Sequence, residues 1–186
     1  IPEPNNSYTF GNDNIVNTAT SDAFILGNQN GMGTLGQYDS NGKLTLGSGT
    51  GTTNASNSAS VGNRNYISTE DTFVLGSGIN TKGTGRSLTS IGSTVANSVY
   101  LGKDSSANGN KDVDATKYQT LLDSNTQGKT TTGGMAKVDK ATVNDISYSG
   151  FAGDTPIGVV TVGYSGGERR IQNKCIFRTN IITITH

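Results

Sequence analysis

Short apolar stretches that each end on glycine mark the chain. "AFILG" occupies residues 23–27, "KLTLG" 43–47, "SASVG" 58–62, "TFVLG" 72–76, "LTSIG" 88–92 and "SVYLG" 98–102. The apolar-then-glycine junction falls at Gly11, Gly27, Gly47, Gly62, Gly76, Gly92 and Gly102, in steps of 16, 20, 15, 14, 16 and 10 residues. Each lead-in is long enough for one short strand and too short for a helix. Each then meets a residue at which the chain can bend or take positive φ. A second apolar spot follows, at Ile15 and Val16, Tyr66 and Ile67, Ile79, and Val95. The pattern predicts two short strands per repeat, joined by turns and stacked as a β-solenoid, because stacked repeats bury the apolar face that a single repeat leaves open.

Three of the junctions continue as Gly-Asn-x-Asn: "FGNDN" at 10–14, "FILGNQN" at 24–30 and "VGNRN" at 61–65. Asn tolerates turn geometry, and its amide bonds backbone groups of a neighbouring turn. The unit is therefore expected to be a corner piece with stacked Asn side chains, in preference to a ligand site.

Two stretches break the rhythm. "GMGTLGQYDSNGKL" (31–44) contains Asn41-Gly42, a type I′ hairpin signal that places a projecting loop there. The longer break runs from Asp104 to Asp154. It holds "DVDATKYQTLLDSN", with a short helix expected over 115–122, then the loop-like "QGKTTTGG". "MAKVDKATVNDISYSG" follows, strand-like around Val138, Val143, Ile146 and Tyr148. Insertions in a solenoid project on one face, so this segment is read either as a functional insertion or as a cap on the last repeat.

Composition sharpens the picture. Hydrophobic residues make up 31%, Gly is 26 of 186, and the formal net charge is +0. Low apolar content with high net charge signals disorder; here the charge is low and Asn, Ser, Thr and Gly favour turns and β structure. No basic run is longer than Arg169-Arg170, which argues against nucleic acid as a partner. The single Cys175 excludes a disulfide framework or a Cys-based zinc site within one chain. No run of about 18 apolar residues offers a transmembrane helix, so membrane contact by this fragment is not expected. The opening "IPEPNN" is not a signal peptide, and fits either a mature end or an artificial start.

Candidate chemistry is sparse. The only histidine is His186, so a base for triad-type catalysis or for the acyltransferases built on β-helices is lacking. "GNKDVDATK" (109–117) is the nearest approach to a lyase-like acidic cluster, and "DVD" is too short for a metal loop. The calcium nonapeptide is absent, and "GSGTGTTN" (47–54) lacks the Lys-Ser/Thr of a phosphate loop. No catalytic, cofactor-binding or metal-ligating residue is expected, and the protein is read as not an enzyme.

The segment 156–173, "PIGVVTVGYSGGERRIQN", resembles the neck motif of YadA-like trimeric autotransporter adhesins of Gram-negative bacteria. The preceding repeats are similar to the head repeats of that family. The resemblance covers roughly 10–102 and 155–173. It implies an all-β, left-handed parallel β-roll head, assembled as a homotrimer, with a C-terminal neck. The implied organisation is head repeats over 1–103, an insertion or cap over 104–154 and the neck over 155–173. Residues 159–163 would be the last strand before the neck. Val160 and Val162 are implied trimer or neck contacts; Glu168, Arg169 and Arg170 would make inter-chain polar contacts, and Ile171 would face the shared core. Charges beside apolar residues fit pairing across chains, since unpaired buried charge is costly; an exposed charged turn is the plainer alternative. After Asn173 the chain departs from the family, reading "KCIFRTNIITITH" with no heptads. His codons read one base late encode Ile and Thr, so 174–186 is expected to be a non-native tail. The family's membrane anchor is not in this fragment.

By the same resemblance, the function expected is that of an adhesin head on the bacterial surface, outside the outer membrane. It would attach to a host cell-surface receptor, including immunoglobulin-like receptors of the carcinoembryonic-antigen type (CEACAM), or to an extracellular-matrix protein, with threefold avidity. The segments 31–43 and 104–154 are the expected binding regions, with Tyr38, Tyr118 and Leu121 as candidate anchors because aromatics are favoured at hot spots. Local packing is the alternative for each. A structural spacer is the competing function. An ice-binding face is suggested by Thr-x-Thr at 18–20, 50–52 and 183–185, but real ice-binding faces carry it at nearly every turn.

Overall fold

The computed structural model describes residues 6–46, 53–91, 93–107, 140–143, 146–150, 157–164 and 167–169. Among these residues there are strands and turns and no helix. The strands are β1 (Tyr8–Phe10), β2 (Ile15–Val16), β3 (Phe24–Leu26), β4 (Gly31–Met32), β5 (Gly36–Tyr38), β6 (Leu44–Leu46), β7 (Ala59–Val61) and β8 (Tyr66–Ile67). They continue as β9 (Phe73–Leu75), β10 (Thr81–Thr84), β11 (Ser87–Ser90), β12 (Val99–Leu101), β13 (Lys140–Val143), β14 (Ile146–Ser149), β15 (Val160–Tyr164) and β16 (Gly167–Glu168).

The larger sheet has the order β1-β3-β7-β9-β12-β15-β16. Its first six strands are parallel, and β16 pairs antiparallel on β15. The second sheet is parallel, in the order β2-β4-β8. Up to β9 the chain visits the two sheets alternately, an arrangement compatible with a β-solenoid. Alternation along each strand sends the middle residues Ile25, Val74 and Tyr100 inward, where they meet Val16, Met32 and Ile67 of the second sheet in one core with Ala23, Ala55, Ile79 and Ala107.

Glycine at the junction is a stacking requirement. Gly27 has φ 141°, and a Cβ there would lie 1.8 Å from the carbonyl oxygen of Gly62. At Gly62 the same atom would lie 1.7 Å from the carbonyl oxygen of Gly76. Adjacent turns approach so closely here that a side chain has no room.

Successive strands of the larger sheet lie 16, 35, 14, 26 and 61 residues apart, counted from paired residues. The long intervals contain the antiparallel hairpins β5–β6, β10–β11 and β13–β14. Two of the six glycine-ending stretches are thereby reassigned. "KLTLG" supplies β6 and "LTSIG" supplies β11, so both are hairpin strands and not members of the stack. A three-residue strand carries no local mark of its partner; the Asp39–Lys43 turn directs Leu44–Leu46 back onto β5. The hairpin stands where Asn41-Gly42 predicts it, with a different turn. Only Gly42 has positive φ (75°), and the Asp39 carboxylate accepts hydrogen bonds from the Asn41 and Lys43 N–H groups at 2.9 Å each. The strand-like reading around Val143, Ile146 and Tyr148 corresponds to β13 and β14, and the expected last strand at 159–163 is β15, shifted by one residue. Val138 and the helix expected over 115–122 lie outside the described residues.

Candidate interaction surfaces

The Gly-Asn-x-Asn units form one corner of the stack. Their x residues, Asp13, Gln29 and Arg64, have φ of 60°, 58° and 61°. The first Asn of each unit builds an outer ladder: Asn12 N–H donates to Asn28 Oδ1 (2.8 Å), Asn28 N–H to Asn63 Oδ1 (2.9 Å) and Asn63 N–H to Ser77 Oγ (3.2 Å). The second Asn builds an inner one. Asn14, Asn30 and Asn65 donate through Nδ2 to the carbonyls of Gly27, Gly62 and Gly76 at 2.7, 2.8 and 2.9 Å. Asn65 Oδ1 accepts from Ile79 N–H at 3.1 Å, and its Nδ2 also reaches Ser60 Oγ at 3.1 Å. The buried amides are spent on the stack, which makes this corner a structural device.

The x positions carry the two hairpins. Arg64 donates to Gln29 Oε1 (3.3 Å), to the Gly85 carbonyl (2.6 Å) and to the Gly83 carbonyl (2.8 Å), and so grips the β10–β11 turn. From that turn the Arg86 guanidinium lies 4.8 Å from the centre of the Tyr38 ring on β5, and its Nε lies 3.9 Å from Asp13 Oδ2. Burial raises the pKa of the Tyr38 phenol, and the neighbouring Asp13 carboxylate pushes the same way, partly offset by Arg86. Tyr38 is half-buried between these groups, so only part of it faces outward. The β5–β6 hairpin also lies against the second sheet at Ile15. Ile15 and Tyr66 point away from the core, yet are only 5% and 4% exposed, with Gly36 of β5 lying against Ile15.

Among the described residues, none packs over the outward face of the larger sheet closely enough to bury it. Two columns of residues run across its six parallel strands in register. One is Tyr8, Phe24, Ala59, Phe73, Val99 and Val160; the other is Phe10, Leu26, Val61, Leu75, Leu101 and Val162. Eleven of these twelve are larger than Ala, and Tyr8, Phe10, Phe24, Leu26, Phe73, Leu75 and Val160 are exposed, Val160 by 70%. Phe10 and Phe24 rings tilt against each other at 6.2 Å. A continuous exposed apolar surface of this kind is a candidate interaction face. Val160 and Val162, which the resemblance implies as trimer or neck contacts, stand at the ends of these columns, and sequence reasoning missed the ladder before them. The available signal was the unbroken apolar runs "FIL", "FVL" and "VYL", which read as strands buried on both faces.

At the end of the sheet, Arg169 reaches back within its own chain. It donates to the Lys103 carbonyl and, at 3.3 Å, to Ser105 Oγ. Its guanidinium carbon occupies space 3.1 Å from where a Gly102 Cβ would sit. Glu168 belongs to β16, paired with Gly163. Arg170, Ile171, Tyr118 and Leu121 lie outside the described residues. Among the described residues, no group of three or more His, Cys, Asp or Glu is placed to hold a metal ion. Neither protein-family models nor curated proteins match the chain.

Proposed function

We propose that the chain is the head and neck portion of a trimeric surface adhesin. In this reading three left-handed β-rolls pack through their larger sheets, and the assembly sits on the outer surface of a Gram-negative bacterium. It attaches the cell to a host receptor or matrix protein. The observation that carries the reading is the asymmetry between the two sheets. The outward residues Ile15 and Tyr66 of the second sheet are buried, with the β5–β6 hairpin lying against Ile15, whereas among the described residues the larger sheet leaves two apolar columns largely open to water. Burying such columns is favourable by about 25 cal/mol per Å² of apolar surface. Identical copies meeting around an axis are the economical way to cover them.

The test is the mass in solution by light scattering. A particle close to three times 19.3 kDa, stable to dilution, is expected. A monomer that stays monomeric after a trimeric coiled coil is fused behind Asn173 would overturn the proposal. The adhesive role is tested separately, by comparing attachment of bacteria displaying the intact protein with those lacking this head. Unchanged attachment would favour the second reading, a spacer that holds another domain away from the cell. The regular parallel stacking supports that reading as readily as it does a binding head.

A further inference from the structure

We propose that Asn41 is a site of spontaneous deamidation, and that the fold confines this chemistry to the hairpin tip. In an Asn-Gly pair the glycine nitrogen attacks the Asn side-chain carbonyl, because no Cβ shields it. The Gly42 N–Cγ bond forms, the Gly42 amide proton is lost to solvent, and the Cγ–Nδ2 bond breaks with release of ammonia. Water then opens the five-membered imide at either carbonyl. The product is aspartate or isoaspartate, and no oxidant or reductant is needed.

Two Asn-Gly pairs lie among the described residues, and the fold treats them oppositely. Asn30-Gly31 is locked. Asn30 is 1% exposed, its Nδ2 donates to the Gly62 carbonyl at 2.8 Å, and Gly31 N–H donates to the Asn65 carbonyl at 2.8 Å. Cyclisation there requires the stack to open. Asn41-Gly42 sits on an exposed turn, and nothing lies within 4 Å of the position a Gly42 side chain would take. Its one restraint on the attacking nitrogen is the turn bond from Gly42 N–H to the Asp39 carbonyl, 2.9 Å. A surface turn opens at little free-energy cost, unlike a core strand. The consequence is local. A new carboxylate appears beside Asp39, and isoaspartate adds a backbone atom inside the turn that holds Tyr38 against Leu44 in register.

The experiment is a peptide map of the full-length protein, aged at mildly alkaline pH, once folded and once in urea. In urea both pairs are expected to convert at similar rates. In the folded protein Asn41 is expected to stay within about threefold of its urea rate, while Asn30 slows by more than about a hundredfold, because its reaction requires core opening. Asn41→Gln, whose attack would need a six-membered ring, is expected to abolish conversion at position 41 and leave the circular dichroism unchanged. Protection of Asn41 in the folded state as strong as that of Asn30 would overturn the proposal. So would conversion of Asn30 at the same rate as Asn41. Asn108-Gly109 lies outside the described residues and is scored separately in the same map.

Discussion

Single side chains set the spacing and the locks of this protein. Asn65 is fully buried and satisfies three groups at once: Gly76 O, Ser60 Oγ and Ile79 N–H. Asn65→Ala leaves the part-buried Gly76 carbonyl and the buried Ile79 N–H without the side-chain partner they have here. It is expected to lower stability by about 3 kcal/mol, read from the urea midpoint at fixed protein concentration. A loss below about 1 kcal/mol would mean water replaces the amide at no cost. Tyr38 gives a pH-dependent counterpart. Its raised pKa means that the fold favours the neutral phenol, so the native state holds that proton at pH values where the unfolded chain has released it. The contribution is intact below the unfolded value near 10 and is lost as pH rises through and beyond it. The phenolate absorbance of the wild type minus that of Tyr38→Phe is expected to titrate above free tyrosine. A titration at or below free tyrosine would contradict the half-buried placement beside Asp13.

At the scale of elements, the two kinds of strand differ in what holds them. Members of the larger sheet are fixed by stacking, so the glycines that follow β1, β3, β7 and β9 are sterically required. Gly27→Ala would drive a methyl into the Gly62 carbonyl and is expected to cost at least about 3 kcal/mol or prevent folding. The hairpins are fixed by latches. Arg86→Ala removes a cation–π contact and the approach to Asp13, and is expected to cost only about 1 kcal/mol at this exposed site. Its clearer signature is faster amide exchange confined to β5–β6 and β10–β11. Faster exchange in β7 or β9 as well would show that the latch supports the stack itself. The two hairpins were also where sequence reading went astray. "KLTLG" and "LTSIG" match the repeat in composition, and nothing in five residues says whether a strand pairs forward in parallel or back on its predecessor.

At the scale of the whole molecule, the question is what covers the apolar columns. Phe73→Asp places a charge in the middle of one column without touching the core, since the inward neighbour Val74 is unchanged. If the proposed trimer packs through this column, the expected outcome is its loss with the strand signal in circular dichroism retained. A trimer that survives both Phe73→Asp and Leu75→Asp would place the subunit contact elsewhere. Loss of the strand signal would instead tie folding to assembly, as in obligate oligomers.

The sequence alone determined the strand-and-glycine repeat and the role of Gly-Asn-x-Asn, because these are local. Each follows from chain geometry that a few adjacent residues decide: where φ turns positive, where a side chain has no room, where an amide meets the next turn. Most of the corner was legible for that reason. The sequence also pointed to 31–43 as an excursion. Only the tertiary structure decided that β6 and β11 leave the stack, that Arg64 and Arg86 bind the hairpins to it, and that Arg169 turns back on its own chain. The same holds for the two faces of the roll. "FIL" and "FVL" are apolar on both sides, and a strand cannot state which of its sides will find a partner within the chain. That depends on whether an insertion distant in sequence folds over it, as β5–β6 does over Ile15 and as no described segment does over Phe24 and Phe73.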